Sequence, residues 1–239
     1  MAEIDINAKA HEFLSGRDDL REVDCYKDWR LLLTAEEINR AVIKCAESLN
    51  KRFQGQEIVV TCILKGAVFF TVDLVRYLTI PHSMYFIEAS SYKNEQTQAE
   101  TVELLSVLVP SKFKGKKVVL LDELYDNGKT LQSVKEALYQ NAELCLDEKD
   151  IFTCTLFKKE KDNANLYPPP NLYGMDVPDV WLVGYGLDDC QEKRGWNCLF
   201  GIPKIEGIPK GPLDAMFEET DAGREVHLST RAKMLKCIE

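Results

Sequence analysis

The chain has 239 residues, 45% of them hydrophobic and 29% charged, which is a soluble globular balance with enough length for one well-buried domain plus extensions. A formal net charge of -9 repels nucleic-acid phosphates and anionic membranes, so neither is expected as a partner, while a local basic pocket for a small phosphorylated molecule stays compatible. No apolar stretch reaches the length of a membrane helix, and the polar, acidic residues 1–20 do not read as a secretory leader. The eight cysteines are scattered with no C-x-x-C pair, which reads as reduced thiols in a cytoplasmic protein and gives no zinc site.

Thr34 and Glu37 form a T-x-x-E capping box, and Ile38, Val42, Cys45, Leu49 and Phe53 then recur at helical spacing until Gly55 ends the run. Residues 58–64 are a nearly continuous apolar, β-branched run, as expected of a strand buried on both faces; Lys65-Gly66 breaks it and a helix over 67–77 follows. Residues 84–89 read as a strand, the polar stretch 90–101 as a long loop of the active-site lid type, and 104–109 as another strand. Residues 118–121 are again a buried strand, followed by a helix with Leu131, Val134, Leu138 and Ala142 on one side. A strand over 151–157, a polar, proline-rich connection over 158–179 and a last strand of the sheet over 181–185 complete the series. Strands alternating with helices predict an α/β fold with a largely parallel sheet flanked by helices. Residues after Gly207 have weak periodicity and mixed charge and read as an appendage.

The segment 118–131 carries the chemistry. A buried strand ends in acids, a glycine permits a tight turn, and a helix begins whose free N–H groups attract an anion. Gly128-Lys129-Thr130 is not a P-loop, because the position of that motif's first glycine holds Glu123. Carboxylates followed by an anion loop instead suit a sugar bearing a monophosphate and a diphosphate, with Asp122 and Glu123 on ribose hydroxyls and a hydrated Mg²⁺. Three carboxylates at the end of a buried strand repel one another and call for a ligand or metal.

This segment resembles the phosphoribosyl-diphosphate signature of type I phosphoribosyltransferases. Four other segments are similar, in the right order, to the hypoxanthine-guanine (xanthine) branch: residues 63–67 to its first active-site loop, 90–94 to its mobile flap, 155–159 to the strand end with the base-reading lysine, and 180–188 to the hood. The resemblance runs from about Thr34 to about Ile202. It implies a small hood and a mobile flap on the α/β fold, with residues 1–33 as an extension contributing to the hood, 34–206 as the phosphoribosyltransferase domain and 207–239 as a C-terminal extension.

By that resemblance Asp126 is the general base or acid at purine N7, and residues Asp126, Asn127, Gly128, Lys129 and Thr130 bind the 5′-phosphate. Asp122 and Glu123 contact ribose and metal; Lys65, Gly66 and Arg194 bind diphosphate, the first two through a strained or cis peptide; Ser91 and Tyr92 close the flap. Lys158 donates to O6, with Lys159 as the one-residue alternative; Trp181 stacks on the base, the Leu182 and Asp188 carbonyls read its edge, and the Asp188 carboxylate places a second Mg²⁺. The implied activity is transfer of phosphoribose to N9 of hypoxanthine, guanine or xanthine, in a homodimer or homotetramer. The alternatives are a xanthine-preferring transferase and a nucleotide-sensing regulatory protein on the same scaffold. The acids read Asp122-Glu123 where the branch usually has Glu-Asp, Tyr125 stands at a branched-aliphatic position, and Asn127 replaces a hydroxyl residue.

Overall fold

The computed structural model describes residues 29–93, 100–161, 167–202, 216–218 and 220–238, without the side chains of 90–93 and 100–103. The chain divides into two compact units, a larger one over 39–177 and a smaller one from residues up to 38 together with 178–237.

The larger unit is built on a six-stranded sheet in the order β4-β3-β2-β5-β6-β7. Its strands are β2 (Ile58–Leu64), β3 (His82–Lys93), β4 (Glu100–Leu104), β5 (Lys117–Tyr125), β6 (Ile151–Lys159) and β7 (Leu172–Val177). β3, β2, β5, β6 and β7 are parallel; β4 alone pairs antiparallel, on β3. The apolar runs of β2, β5 and β6 are buried on both faces, as parallel strands under helices must be. On one face Val59, Ile63, Val118 and Leu120 pack with Leu131, Val134 and Leu138 of helix α3 (Lys129–Gln140). Alternation along β6 sends Cys154 and Leu156 to the opposite face, where Cys45 of helix α1 (Ala35–Arg52) lies against Gly174 beside Leu156. Helix α2 (Val68–Tyr77) connects β2 to β3.

Three expectations change. Residues 90–93 and 100–101, expected within a loop, are strand, with Ser91 opposite Val102 and Lys93 opposite Glu100, while 94–99 lie outside the described residues. The second strand lies at 100–104, not 104–109. The supposed connection 158–179 contains β7, whose flanking prolines and Gly174 disguise it in the sequence, and which pairs parallel with β6 from Cys154 to Lys159.

The smaller unit has its own antiparallel sheet, β1 (Arg30–Leu33), β9 (Leu199–Ile202) and β8 (Trp181–Val183), in the order β1-β9-β8. The strand at Trp181 therefore belongs to this second sheet and not to the parallel one. Helix α4 (Asp221–Leu235) packs on β1. Its buried stripe is Gly223, His227, Arg231 and Met234. Arg231 forms a buried ion pair with Glu37 at 2.7 Å and donates to the Leu32 carbonyl, while His227 Nε2 bonds the Leu31 carbonyl at 2.9 Å. Glu37 also closes the capping box, accepting from the Thr34 N–H at 2.8 Å. Arg30 adds bonds to the carbonyls of Met216 and Phe217.

Candidate active site

Parallel register brings the C-terminal ends of β2, β5 and β6 to one edge of the larger unit's sheet, the edge where open α/β sheets bind ligands. β2 delivers Lys65 and Gly66 there, β5 delivers Asp122 to Asp126, and β6 delivers Lys158 and Lys159.

The Leu64–Lys65 peptide bond is cis. Gly66 packs so closely on Glu123 that an added Cβ would lie 1.8 Å from its Oε1. Glycine is thus required for the Glu123 carboxylate to rest against this backbone. Asp122 is buried and accepts the Glu123 N–H at 3.0 Å. Burial pushes its carboxyl above the usual carboxylate range, against the pull of the Glu123 side chain and amide. Cys62, on the same strand end as Lys65, is raised to about 11 by burial, with Glu123 and Asp122 adding to the rise and Thr71 opposing it.

The turn after β5 is built as the sequence indicates. Asn127 Oδ1 accepts the Lys129 N–H at 2.9 Å, and Gly128 has φ +84, a conformation that disfavours side chains. An added Cβ there would also meet the Tyr125 ring at 2.5 Å. Tyr125 is buried and donates to the Tyr167 carbonyl at 2.6 Å, so the aromatic at this position forms the floor of the loop. Helix α3 then starts at Lys129, with Thr130 in its first turn.

Asp126 and the two lysines of β6 have a definite arrangement. Lys158 bonds Asp176 at 2.6 Å and lies 4.5 Å from the Tyr173 ring centroid. Burial works against its charge, but Asp176 and Tyr173 outweigh it and raise the ammonium's pKa. Lys159 points the other way and reaches Asp126 at 3.5 Å, joined there by Lys161. Burial tends to raise the Asp126 carboxyl, yet Lys161 and Lys159 together hold it below the usual range. The structure therefore brings Lys159, not Lys158, to Asp126. Lys161, Asp176 and Tyr173 were not singled out from sequence; the only sequence hint of Lys161 is the Lys-x-Lys spacing at the end of β6.

In the smaller unit Trp181 is 55% exposed on β8, while Leu182 is buried. The turn that follows is strained, with Tyr185, Cys190, Gln191 and Lys193 all at positive φ. Its hydrogen bonds account for the shape: Tyr185 N–H to Trp196 and Gly186 N–H to Arg194, with the Arg194 guanidinium donating back to the Gly186 carbonyl at 2.8 Å. Arg194 also pairs with Asp188 at 2.7 Å, and Asp188 accepts the Gln191 N–H. The Ser91 and Tyr92 side chains lie outside the described residues.

Among the described residues no cluster of three or more metal-ligating side chains exists, so an all-protein cage is not available. Two adjacent carboxylates at a strand end do fit a largely hydrated Mg²⁺.

Residues 28–189 match the family model for the phosphoribosyl transferase domain. A hypoxanthine-guanine phosphoribosyltransferase of Aquifex aeolicus is 33% identical over 163 residues, covering 68% of this chain and 88% of that protein. A hypoxanthine phosphoribosyltransferase of Salmonella typhimurium is 29% identical over 166 residues, covering 69% and 89%. A crystal structure of a hypoxanthine-guanine phosphoribosyltransferase from Bacillus anthracis superposes with a TM-score of 0.64 at 29% identity, covering 72% of this chain and 97% of that one.

Proposed function

The chain belongs to the phosphoribosyltransferase family, and from that premise we propose that it salvages purines by transferring 5-phosphoribose from phosphoribosyl diphosphate to N9 of a 6-oxopurine, releasing diphosphate. The observation that carries this reading is the end of β5. There a carboxylate pair is followed by a turn with Gly128 at positive φ and a helix start, beside the Asp126 carboxylate that Lys159 faces, and this supports the reading.

The N9 lone pair attacks C1′ as the C1′–O bond to diphosphate breaks, and its electrons leave with the diphosphate. Asp126 accepts the N7 proton. Asn127 to Thr130 hold the 5′-phosphate through backbone and side-chain donors. Asp122 and Glu123 orient the ribose hydroxyls and would hold a hydrated Mg²⁺, with Asp188 placing a second. Bound Mg²⁺ would supply charge neutralisation to the diphosphate. Lys65 and Gly66 would present backbone to the diphosphate, and Arg194 would exchange Asp188 for its oxygens. Trp181 stacks on the purine and the carbonyls of Leu182 and Asp188 read its edge; Ser91 and Tyr92 exclude water. For O6 the position of Lys159 on the side of Asp126 supports Lys159 over Lys158.

The smaller unit would serve as the hood. Seven described cysteines are free thiols, which supports a cytoplasmic setting, and among the described residues no helix is long and apolar enough to cross a membrane. A homodimer or homotetramer is part of this reading. The test is diphosphate release with hypoxanthine, guanine, xanthine and adenine supplied separately. The 6-oxopurines should be used and ranked by this assay, and adenine should be a poor substrate. Equal use of adenine would overturn the reading of O6 by a lysine.

A further inference from the structure

We propose that Lys161 is a positioning residue for Asp126: with Lys159 it brackets the carboxylate and fixes it as the proton acceptor for purine N7. The inference rests on the reading of Asp126 as the base and adds to it a residue outside the β6 strand.

The backbone dictates the placement. β6 ends at Lys159, but its pairing with β7 continues one residue, because the Glu160 N–H bonds the Val177 carbonyl at 2.9 Å. An extended chain alternates sides, so Lys159 and Lys161 project together toward Asp126. Asp126 directly follows Tyr125, whose partner in β6 is Lys158, and this sets Asp126 beside Lys159. One ammonium then serves each carboxylate oxygen, Lys159 at Oδ2 and Lys161 at Oδ1.

Structural attachment does not explain this arrangement. The Asp126 side chain is 44% exposed, although its Oδ1, the oxygen beside Lys161, is itself buried without a hydrogen bond, and a partly exposed ion pair contributes little stability. A second cation on one carboxylate does affect its protonation and orientation. It disfavours the neutral acid in the resting enzyme and restrains the carboxylate's rotation. In the reaction the N7 proton moves to an Asp126 oxygen while N9 bonds C1′ and diphosphate departs with the electron pair. An Asp126 already protonated could not accept that proton. Among the described residues Lys159 and Lys161 are the charged groups that face it.

The experiment compares wild type, K161M and K161R. Aspartate carboxyl carbons are titrated by NMR in the free enzyme, with D126N assigning the signal, and kcat/KM for the base is measured against pH. In K161M the Asp126 carboxyl should titrate roughly half a pH unit or more higher, with the acidic limb of kcat/KM moving the same way. K161R should restore both. An unmoved carboxyl titration overturns the proposal, as does a moved titration with an unmoved acidic limb. A wild type that transfers phosphoribose to no 6-oxopurine would fail the functional reading instead, and the carboxyl titration would still decide the role of Lys161.

Discussion

The two units use the same ionic chemistry for opposite ends. In the larger one, acids collect at an open strand end: Asp126 is half-exposed between two lysines, and Glu123 rests on a glycine that leaves it room. In the smaller one the pair Glu37–Arg231 is sealed, with side chains 5% and 4% exposed, and is saturated by the Thr34 N–H and the Leu32 carbonyl. A carboxylate that water and substrate can reach is available for chemistry; one closed in by backbone donors and a guanidinium fastens a helix to a strand. Arg194 and Asp188 lie in the smaller unit but resemble the first kind. Their pair is partly exposed, on a strained turn.

The largest effect expected from this contrast is D126N. The amide keeps the shape and removes the base, so turnover should fall by roughly two to four orders of magnitude while phosphoribosyl-diphosphate affinity and thermal stability hold. Single-turnover kinetics and calorimetric binding check both halves. An unchanged chemical step would break the contrast at its active end. R231M should do the reverse. Stranding the buried Glu37 should cost about 3–5 kcal/mol of stability, read by denaturant unfolding, while kcat per folded molecule stays at the wild-type value. A folded R231M with lost turnover would show that the sealed pair also serves the chemistry.

Much of the active end was legible in the sequence because parallel strands and anion loops have local signatures. The run 58–64 matches β2, and the acids, Gly128 and the start of α3 stand where the strand–turn–helix pattern put them. The sealed end was hidden, because its contacts join distant residues. Glu37 was visible as a capping residue, but nothing local shows that it meets Arg231, 194 positions away. Helix α4 escaped notice because its buried stripe includes glycine, histidine and arginine, which a hydrophobic period does not register. The lysine pair was ambiguous for a related reason. Adjacent residues of a strand face opposite sides, and only the register with β5 decides which lysine faces Asp126.

That register gives a smaller prediction inside the larger unit. K159A should raise KM for 6-oxopurines about 10- to 100-fold, the usual loss of a charged hydrogen bond, with little change in KM for phosphoribosyl diphosphate. K158A frees Asp176 and uncovers Tyr173 and should change base KM much less. Steady-state kinetics of the two variants with guanine and hypoxanthine give the comparison directly. The reverse order would mean that Lys158 leaves Asp176 to read O6 when substrate binds.

The smallest effect concerns acid and belongs to the sealed end. His227 is buried and bonds the Leu31 carbonyl, so the neutral ring carries its proton on Nε2. A second proton on Nδ1 would bring a charge into a dry site. Burial is the main cause that lowers its pKa below the ordinary 6.5; Arg231 and Arg30 add repulsion and the Leu31 carbonyl pulls the other way. The unfolded chain therefore binds this proton more readily than the folded one. The stabilisation is complete above the ordinary histidine pKa and is lost as pH falls from there through the depressed folded value. Thermal melts between about pH 7.5 and about pH 5 should show the wild type losing stability as acid is added. In H227Q a side-chain amide can still donate to Leu31 without titrating, so its melts should fall less over the same range. Equal slopes would move the acid sensitivity away from α4 and leave His227 only as a hydrogen-bond donor that holds the helix on β1.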